Sequence, residues 1–120
     1  MSIRLDTLER RLDEFISGVP GIEGGAVITY EGLVVARRFK PGIDEVAVAA
    51  MGAALLSVAQ KVVKELNKGQ FDNVVLTSSD GLIIVTSLTD DLLLLVMTSP
   101  DAKLGLVNYE LKKLRDKIFT

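Results

Sequence analysis

The chain has 120 residues, of which 48% are hydrophobic and 25% are charged, and its formal net charge is −2. This is the size and composition of one globular domain with a packed core, and the near balance of charge argues against a nucleic-acid-binding surface. Cysteine and histidine are absent, which excludes disulfides, Cys/His zinc sites and any mechanism that needs a thiolate or an imidazole.

The first third of the chain predicts a helix followed by a β-hairpin. Apolar residues recur at steps of three and four over about residues 2–17, after which a cluster of glycine and proline ends the helix. This apolar stripe consists of Leu5, Leu8, Leu12, Phe15 and Val19. Two strand-like runs, 26–30 and 33–38, flank Glu31-Gly32, which is a tight-turn signal typical of a hairpin.

A long apolar helix is predicted next. Asp44 is its expected N-cap, and the helix should run to about Leu66, where Asn67 and Gly69 give a C-terminal signal. Residues 46–59 are the most apolar run, but they fall short of the ~20 residues that a membrane-spanning helix needs. The N-terminus also lacks the apolar run of a signal peptide, so we expect no membrane insertion and a cytoplasmic location.

The second half of the chain predicts three strands and a last helix. Strand-like runs at 71–78, 82–88 and 92–99 are separated by short turns, which favours an antiparallel meander. The last helix is expected to begin with Ser99 as N-cap and Pro100 at the first helical position. Its apolar stripe consists of Leu104, Val107, Leu111, Leu114 and Ile118.

The predicted order of elements is therefore αββαβββα. A five-stranded antiparallel sheet with helices on both faces follows from it, in an α/β sandwich that forms a single domain over residues 1–120. The nearly unbroken apolar runs 83–85 and 92–96 indicate central strands that are covered on both faces.

The sequence offers no convincing active site. The Gly-rich stretch 20–27 lacks the ending of a phosphate-binding loop and leads into a strand, whereas such a loop should open a helix. Asp90-Asp91 has the composition of a solvated turn, and Ser79 has no neighbouring base that would activate it as a nucleophile. We therefore expect a non-enzymatic protein with no cofactor and no metal.

The long helix has two apolar lines on different sides. At 100° per residue, one line falls within an arc of about 80° and is predicted to pack on the sheet of its own domain. This predicted core line consists of Val48, Met51, Leu55, Val58 and Val62. The other line follows the 3-4-3-4 spacing of a coiled-coil seam, and it consists of Ala49, Gly52, Leu56, Ala59 and Val63.

We expect this second line, the predicted seam, to meet a second copy of the chain. Its small residues allow another backbone to come close, and the two other helices are expected on the opposite face of the sheet. Burying one leucine contributes ~1.5–3 kcal/mol, so an uncovered seam would be costly. The sequence therefore predicts a homodimer through this helix.

The whole chain resembles the roadblock/dynein light chain family, in particular its MglB-like bacterial and archaeal members. The stretches that carry the resemblance are the entry Val19-Pro20-Gly21 with Gly25-Ala26, the hairpin Glu31-Gly32-Leu33, the Ala-rich helix 46–63, the hairpin Asp80-Gly81, and the P-x-A-x-x-G-x-V spacing of residues 100–107.

The resemblance implies a profilin-like fold and a mode of assembly. Members of the family homodimerise through the second helix and the third strand, so that two sheets join into one. In this sequence that assigns Val74 and Leu76 to the dimer edge, beside the predicted seam. Family members act as regulators or platforms for Ras-like small GTPases, and some serve as adaptors in dynein motors.

The expected function is thus that of a homodimeric regulator or scaffold that binds a Ras-like (MglA-type) small GTPase and could stimulate GTP hydrolysis. Some MglB-like proteins use a segment beyond the last helix on the GTPase; because this sequence stops at Thr120, binding is the principal expectation. The candidate docking surface consists of Val46, Ala50, Ala53, Ala54, Ser57, Lys61 and Lys64. The alternatives are a structural adaptor in a larger assembly without GTPase contact and a small-molecule sensor; an enzyme ranks last.

Overall fold

Three helices and five strands make up the described part of the chain, residues 3–118, in a computed structural model. Their order confirms the predicted αββαβββα. The elements are α1 (Leu5–Gly18), β1 (Ile22–Thr29), β2 (Val34–Arg38), α2 (Glu45–Glu65), β3 (Asn73–Ser78), β4 (Gly81–Ser87), β5 (Leu92–Thr98) and α3 (Leu104–Lys117).

The strands form one antiparallel sheet in the order β2-β1-β5-β4-β3. β5 lies at its centre, where Leu95 is opposite both Ala26 of β1 and Val85 of β4. A strand with neighbours on both edges and helices on both faces is largely shielded from water, which accounts for the unbroken apolar run that begins at Leu92. β2 and β3 are the two edge strands.

The helices divide between the two faces of the sheet, as the sequence predicts. α1 and α3 pack together on one face, where their buried side chains meet those of β1, β4 and β5. α2 lies alone on the other face. The core on the α1/α3 side includes Leu8, Leu12, Phe15, Val107, Leu111 and Leu114, and the core on the α2 side includes Ala49, Leu56, Val85, Leu93 and Leu95.

Both ends of α2 are formed as the sequence predicts. The side chain of Asp44 accepts a hydrogen bond from the backbone N–H of Ala47 at 3.1 Å, which is the contact that defines an N-cap. At the other end Asn67 adopts a left-handed conformation, with φ of +52°, and the helix stops. The hairpin turn at Gly32, with φ of +93°, comes within van der Waals distance of Ala50 of α2.

The start of the last helix is predicted wrongly. α3 begins at Leu104, after Lys103, and not at Ser99. Ser99 donates its hydroxyl hydrogen to the Asp101 carboxylate at 2.6 Å, and its backbone N–H binds the carbonyl of Gly21 at 2.8 Å. Because the side chain of Ser99 is hydrogen-bonded to Asp101, Ser99 closes a turn and does not cap a helix.

Two other boundaries differ from expectation. β1 begins at Ile22, four residues before the predicted start, because Gly24 and Gly25 pair with β5 in spite of their weak strand propensity. α1 begins at Leu5, while the predicted start at Ser2 lies outside the described residues. Leu5 and Leu104, the first members of their stripes, are exposed at the helix ends.

Candidate functional site

The candidate site is the surface of α2, and its structure begins with the side that packs on the sheet. The residues of α2 that are buried are Ala49, Gly52, Ala53 and Leu56. A Cβ atom on Gly52 would lie 3.1 Å from Cδ1 of Leu95 and 3.7 Å from Cδ1 of Ile28. The helix backbone therefore approaches the sheet side chains directly, and Leu56 is 0% exposed.

This arrangement corrects the predicted dimer seam. Ala49, Gly52 and Leu56 lie in the core of their own domain, and Ala59 and Val63 of the same line are half-buried. The physical reason is that the sheet supplies large side chains on this face, so the helix must present small ones. Small residues do allow a close approach, as the sequence suggests, but the neighbour they admit is the sheet of the same chain.

The predicted core line is correspondingly wrong. Met51, Val58 and Val62 are 62%, 58% and 50% exposed, and only Val48 and Leu55 are partly buried against the core. The two lines lie roughly 100° apart around the helix. When one line packs against the sheet, the other therefore points toward solvent.

The consequence is a continuous apolar surface on α2, which we call the open face. It consists of Met51, Ala54, Val58, Val62 and Leu66, all of which are exposed. Full burial of a Val, Leu or Met side chain contributes about 1.5–3 kcal/mol relative to exposure. An exposed apolar stripe of this length is typical of a surface that another protein covers.

The predicted docking residues remain on the surface with one exception. Val46, Ala50, Ala54, Lys61 and Lys64 are exposed, and Ser57 is half-buried. Ala53 is buried against the sheet, so its assignment to a docking surface is wrong. We call the four other exposed residues and the half-buried Ser57 next to the open face the lysine flank, which thus consists of Val46, Ala50, Ser57, Lys61 and Lys64.

Polar contacts fix the orientation of α2 on the sheet. In its first turn Glu45 forms an ion pair with Arg37 of β2, with 2.7 Å between Oε2 and Nε. In its second half Gln60 donates to the hydroxyl of Ser87 at 3.5 Å, and the same hydroxyl is 2.9 Å from that of Tyr30. Because both ends of the helix are tied to the sheet, the open face cannot turn inward without breaking these contacts.

Strand β3 is an edge strand of the sheet, and some of its side chains pack under α2. It pairs with β4 in register, Val74 opposite Val85 and Leu76 opposite Ile83, while its other edge has no strand partner within residues 3–118. Val74 packs partly against the core under α2, and Leu76 is exposed. An edge strand with unpaired backbone groups beside an apolar helix face can accept another strand.

Two titratable groups away from the open face have a shifted pKa. The hydrogen bond from Ser99 is the main cause that lowers the pKa of Asp101, and a hydrogen bond to Asp13 is the main cause that raises the pKa of Arg38. No group of three acidic side chains that could hold a metal ion occurs among residues 3–118.

Met51, Val58 and Val62 are surface residues that the sequence pattern had placed in the core, and Leu66 beside them is exposed as well. The sequence does contain a signal for the correct orientation, which is the size of the side chains in the two lines of α2. The line of small residues and the line of large residues cannot both face a sheet built of leucine and isoleucine. The small line leaves room for the side chains of the sheet, and this complementarity of volume decides the orientation.

By length and composition α2 could also cross a membrane, since it has 21 residues and few charges. The predicted apolar run within it, residues 46–59, is shorter than a membrane span, and the last turns of the helix carry Lys61, Lys64 and Glu65. In the fold it lies flat on the sheet, with Leu56 buried in the core.

Comparison with known families gives one clear match. The family model described as the Roadblock/LC7 domain matches residues 8–98. An uncharacterized protein of Methanocaldococcus jannaschii is 28% identical over 98 residues, which cover 82% of this chain and 85% of the relative.

Solved structures with the same fold include MglB of Myxococcus xanthus, with a TM-score of 0.87, 16% identity and coverage of 99% of this chain and 90% of that one. A Roadblock/LC7 domain from Streptomyces avermitilis has a TM-score of 0.83, 19% identity and coverage of 92% and 93%. Profilin II of Acanthamoeba castellanii, at 0.64, 16% identity and coverage of 93% and 96%, shows that the fold is profilin-like.

Proposed function

Because this chain belongs to the Roadblock/LC7 domain family, we propose that it is a non-enzymatic cytoplasmic protein that dimerises and binds a Ras-like (MglA-type) small GTPase as regulator or scaffold. The observation that carries the proposal is the open face of α2, an uncovered apolar surface on a helix whose other side is fixed to the sheet. A protein whose principal exposed feature is such a face functions by binding other proteins.

The first partner in this proposal is a second copy of the chain. A two-fold axis across the open face would pair Met51, Val58 and Val62 with the same residues of the second copy, since a symmetric interface is self-complementary. The axis would bring the free edge of β3, with Val74 and Leu76, against its own copy and continue the sheet. The interface so proposed replaces the predicted seam on α2 and keeps the predicted edge on β3.

Charge on α2 favours an antiparallel pairing of the two helices. Asp44 and Glu45 lie at its start, and Lys61, Lys64 and Lys68 lie at or just beyond its last turns. In an antiparallel pair the acidic start of one helix faces the basic end of the other, whereas a parallel pair would place like charges together. This complementarity sets the direction of association and adds little affinity by itself.

The second partner is the GTPase, and the proposed docking surface is the lysine flank. Its residues Val46, Ala50 and Ser57 are small or medium-sized, so a partner can approach the helix backbone closely, and Lys61 and Lys64 can pair with acidic side chains of that partner. Dimerisation would double this surface across the two-fold axis. Stimulation of GTP hydrolysis is the further expectation that the family resemblance supplies.

The test is a binding measurement with the small GTPase encoded near this gene, loaded with GDP or with a non-hydrolysable GTP analogue. We expect binding that depends on the nucleotide. The double variant Lys61→Glu/Lys64→Glu should weaken it by about tenfold, which corresponds to roughly 1.4 kcal/mol. The matched control is Lys103→Glu/Lys113→Glu, which makes the same charge change on the exposed side of α3.

Failure to bind any such GTPase in either nucleotide state would contradict the regulator proposal. A dimer that binds no GTPase would assign the protein to the adaptor class instead. Where binding occurs, rates of GTP hydrolysis with and without this protein distinguish an activator from a scaffold.

A further inference from the structure

A polar groove lies on the opposite face of the sheet from α2, between α3 and the start of β3. We call it the α3 groove, and its volume is about 320 Å³. The residues that matter for its chemistry are Asp72, Asn73, Gly105, Asn108, Lys112 and Arg115. None of them belongs to the open face or the lysine flank.

The walls of the groove are held in place by hydrogen bonds between α3 and the sheet. The amide of Asn73 donates to the side-chain oxygen of Asn108 at 2.9 Å. Arg115 donates from Nη1 to the hydroxyl of Thr86 at 2.8 Å, and this hydroxyl donates to the carbonyl of Asp72 at 2.9 Å. Thr86 is buried, so this chain of bonds fixes one face of the Arg115 guanidinium inside the protein. The groove is therefore formed before any ligand arrives.

Several donors in the groove are unused. The ammonium of Lys112 and the side-chain amide nitrogen of Asn108 have no hydrogen-bond partner among residues 3–118. Nη2 of Arg115 lies 3.8 Å from Oδ1 of Asp72, which is too long for a hydrogen bond. Two cations thus face a single carboxylate, and the side chain of Asp72 that carries it is 78% exposed. The groove offers an excess of positive charge and of N–H donors to an anionic group.

The shape of the groove fits a length of extended chain. It runs along α3 from Gly105 to Arg115, ten residues at 1.5 Å each or about 15 Å, which is the length of four or five residues in an extended peptide. A Cβ on Gly105 would meet nothing within 4 Å, so the glycine leaves this end open. Small-molecule sites are mostly apolar, whereas the lining of this groove combines Tyr109 and Leu111 with five polar or charged side chains.

We propose that the α3 groove binds an acidic extended segment of a partner protein, with one carboxylate placed between Lys112 and Arg115. The segment displaces the loosely held carboxylate of Asp72, which occupies the outer side of Arg115 in the free protein. This site is separate from the open face and the lysine flank, since it lies on the face of the sheet that α2 does not cover, but its residue Asn73 begins β3, the strand whose free edge the proposed dimer uses.

The probe is a fluorescein-labelled peptide of six glutamates, blocked at both ends, titrated into the protein and followed by anisotropy. We expect Lys112→Gln to weaken binding by about threefold to fivefold, the effect of losing one exposed charge pair. Asp72→Asn should tighten binding by a similar factor because it removes the competing carboxylate. Gly105→Leu should abolish binding by filling the open end. Lys40→Gln is the matched control, because it removes the same charge from an exposed lysine that does not line the groove.

Four outcomes would overturn the proposal. They are absence of binding to the wild-type protein, equal weakening by Lys112→Gln and Lys40→Gln, no tightening by Asp72→Asn, and equal binding of a six-glutamine peptide. Competition by inorganic phosphate at the same concentration as the peptide would also overturn it, in favour of a small-anion site. The substituted residues are exposed, so the variants should unfold at nearly the wild-type temperature, and a thermal scan of each verifies this.

Discussion

Gly81 opens β4 in a backbone conformation that only glycine adopts readily, with φ of +136°. A Cβ at this position would collide with the carbonyl oxygen of Thr98 on the neighbouring strand. We predict that Gly81→Ala lowers the free energy of unfolding by at least about 2 kcal/mol, as measured by urea denaturation. Gly105→Ala is the control, since it lies in α3 with open space around it and should raise stability by about 0.5–1 kcal/mol. Equal midpoints for the two variants would contradict this account.

Asp101 shows how one hydrogen bond sets a titration. Ser99 donates to its carboxylate and is the main cause that lowers the pKa of Asp101 in the folded state. A lowered folded pKa means that the carboxylate stabilises the fold above the ordinary pKa, and that this contribution is lost as pH falls through the folded value. We predict that Ser99→Ala raises the pKa of Asp101 toward its ordinary range, as followed by NMR of the side-chain carboxyl carbon. An unchanged titration curve would show that the hydrogen bond is not the cause.

At the scale of a single element, the stability cost of a substitution in α2 depends on whether the substituted side chain lies on the buried or the exposed side of the helix. We predict that Leu56→Ala lowers the free energy of unfolding by about 2–5 kcal/mol, because it leaves a cavity in the core. In dilute solution, where dissociated chains dominate, Val58→Ala on the open face should cost less than about 1 kcal/mol. Denaturant midpoints at one low protein concentration test the pair. If the two costs were reversed, the helix would have to be rotated on the sheet.

This orientation also changes what charged substitutions on α2 should do. If the predicted seam joined two chains, Leu56→Asp and Gly52→Glu would break it and produce a monomer or an aggregate. In the structure both positions lie in the core, so these variants place an unpaired charge there and should unfold the chain. Val58→Asp, on the exposed open face, is the substitution that we expect to act on the proposed association alone.

For the whole molecule, stability should depend on protein concentration if a second copy covers the open face. A hundredfold increase in concentration favours the associated state by about 2.7 kcal/mol, which corresponds to a rise in Tm of roughly 5–10 °C. We predict this rise for the wild-type chain and its loss in Val58→Asp, in calorimetric scans across that range. Val46→Asp adds the same charge on the lysine flank and should keep the dependence. A wild-type Tm that is independent of concentration would argue against the dimer.

Much of the architecture could be predicted from local signals. Asp44 caps α2, Gly32 turns the first hairpin, and the apolar run from Leu92 marks the central strand, because each depends on residues close in sequence. The start of α3 was predicted wrongly because it depends on a contact between residues that are distant in sequence. Ser99 has the local pattern of an N-cap, but its backbone is bound to Gly21, almost eighty residues earlier in the chain. The α3 groove likewise depends on Asn73 and Asn108, which only the fold brings together.

The sequence by itself determined the order of elements, the one long helix with two apolar lines and the family resemblance, because periodicity and turn chemistry are written into neighbouring residues. Only the tertiary structure decided which line of α2 is buried. Both lines are apolar, and hydrophobicity alone does not separate them. The side chains of Leu95 and Ile28 fill the space between sheet and helix, so the line of Ala49 and Gly52 must face them and the larger line must face outward. The orientation of α2 is therefore set by complementarity of side-chain volume between segments that are distant in sequence.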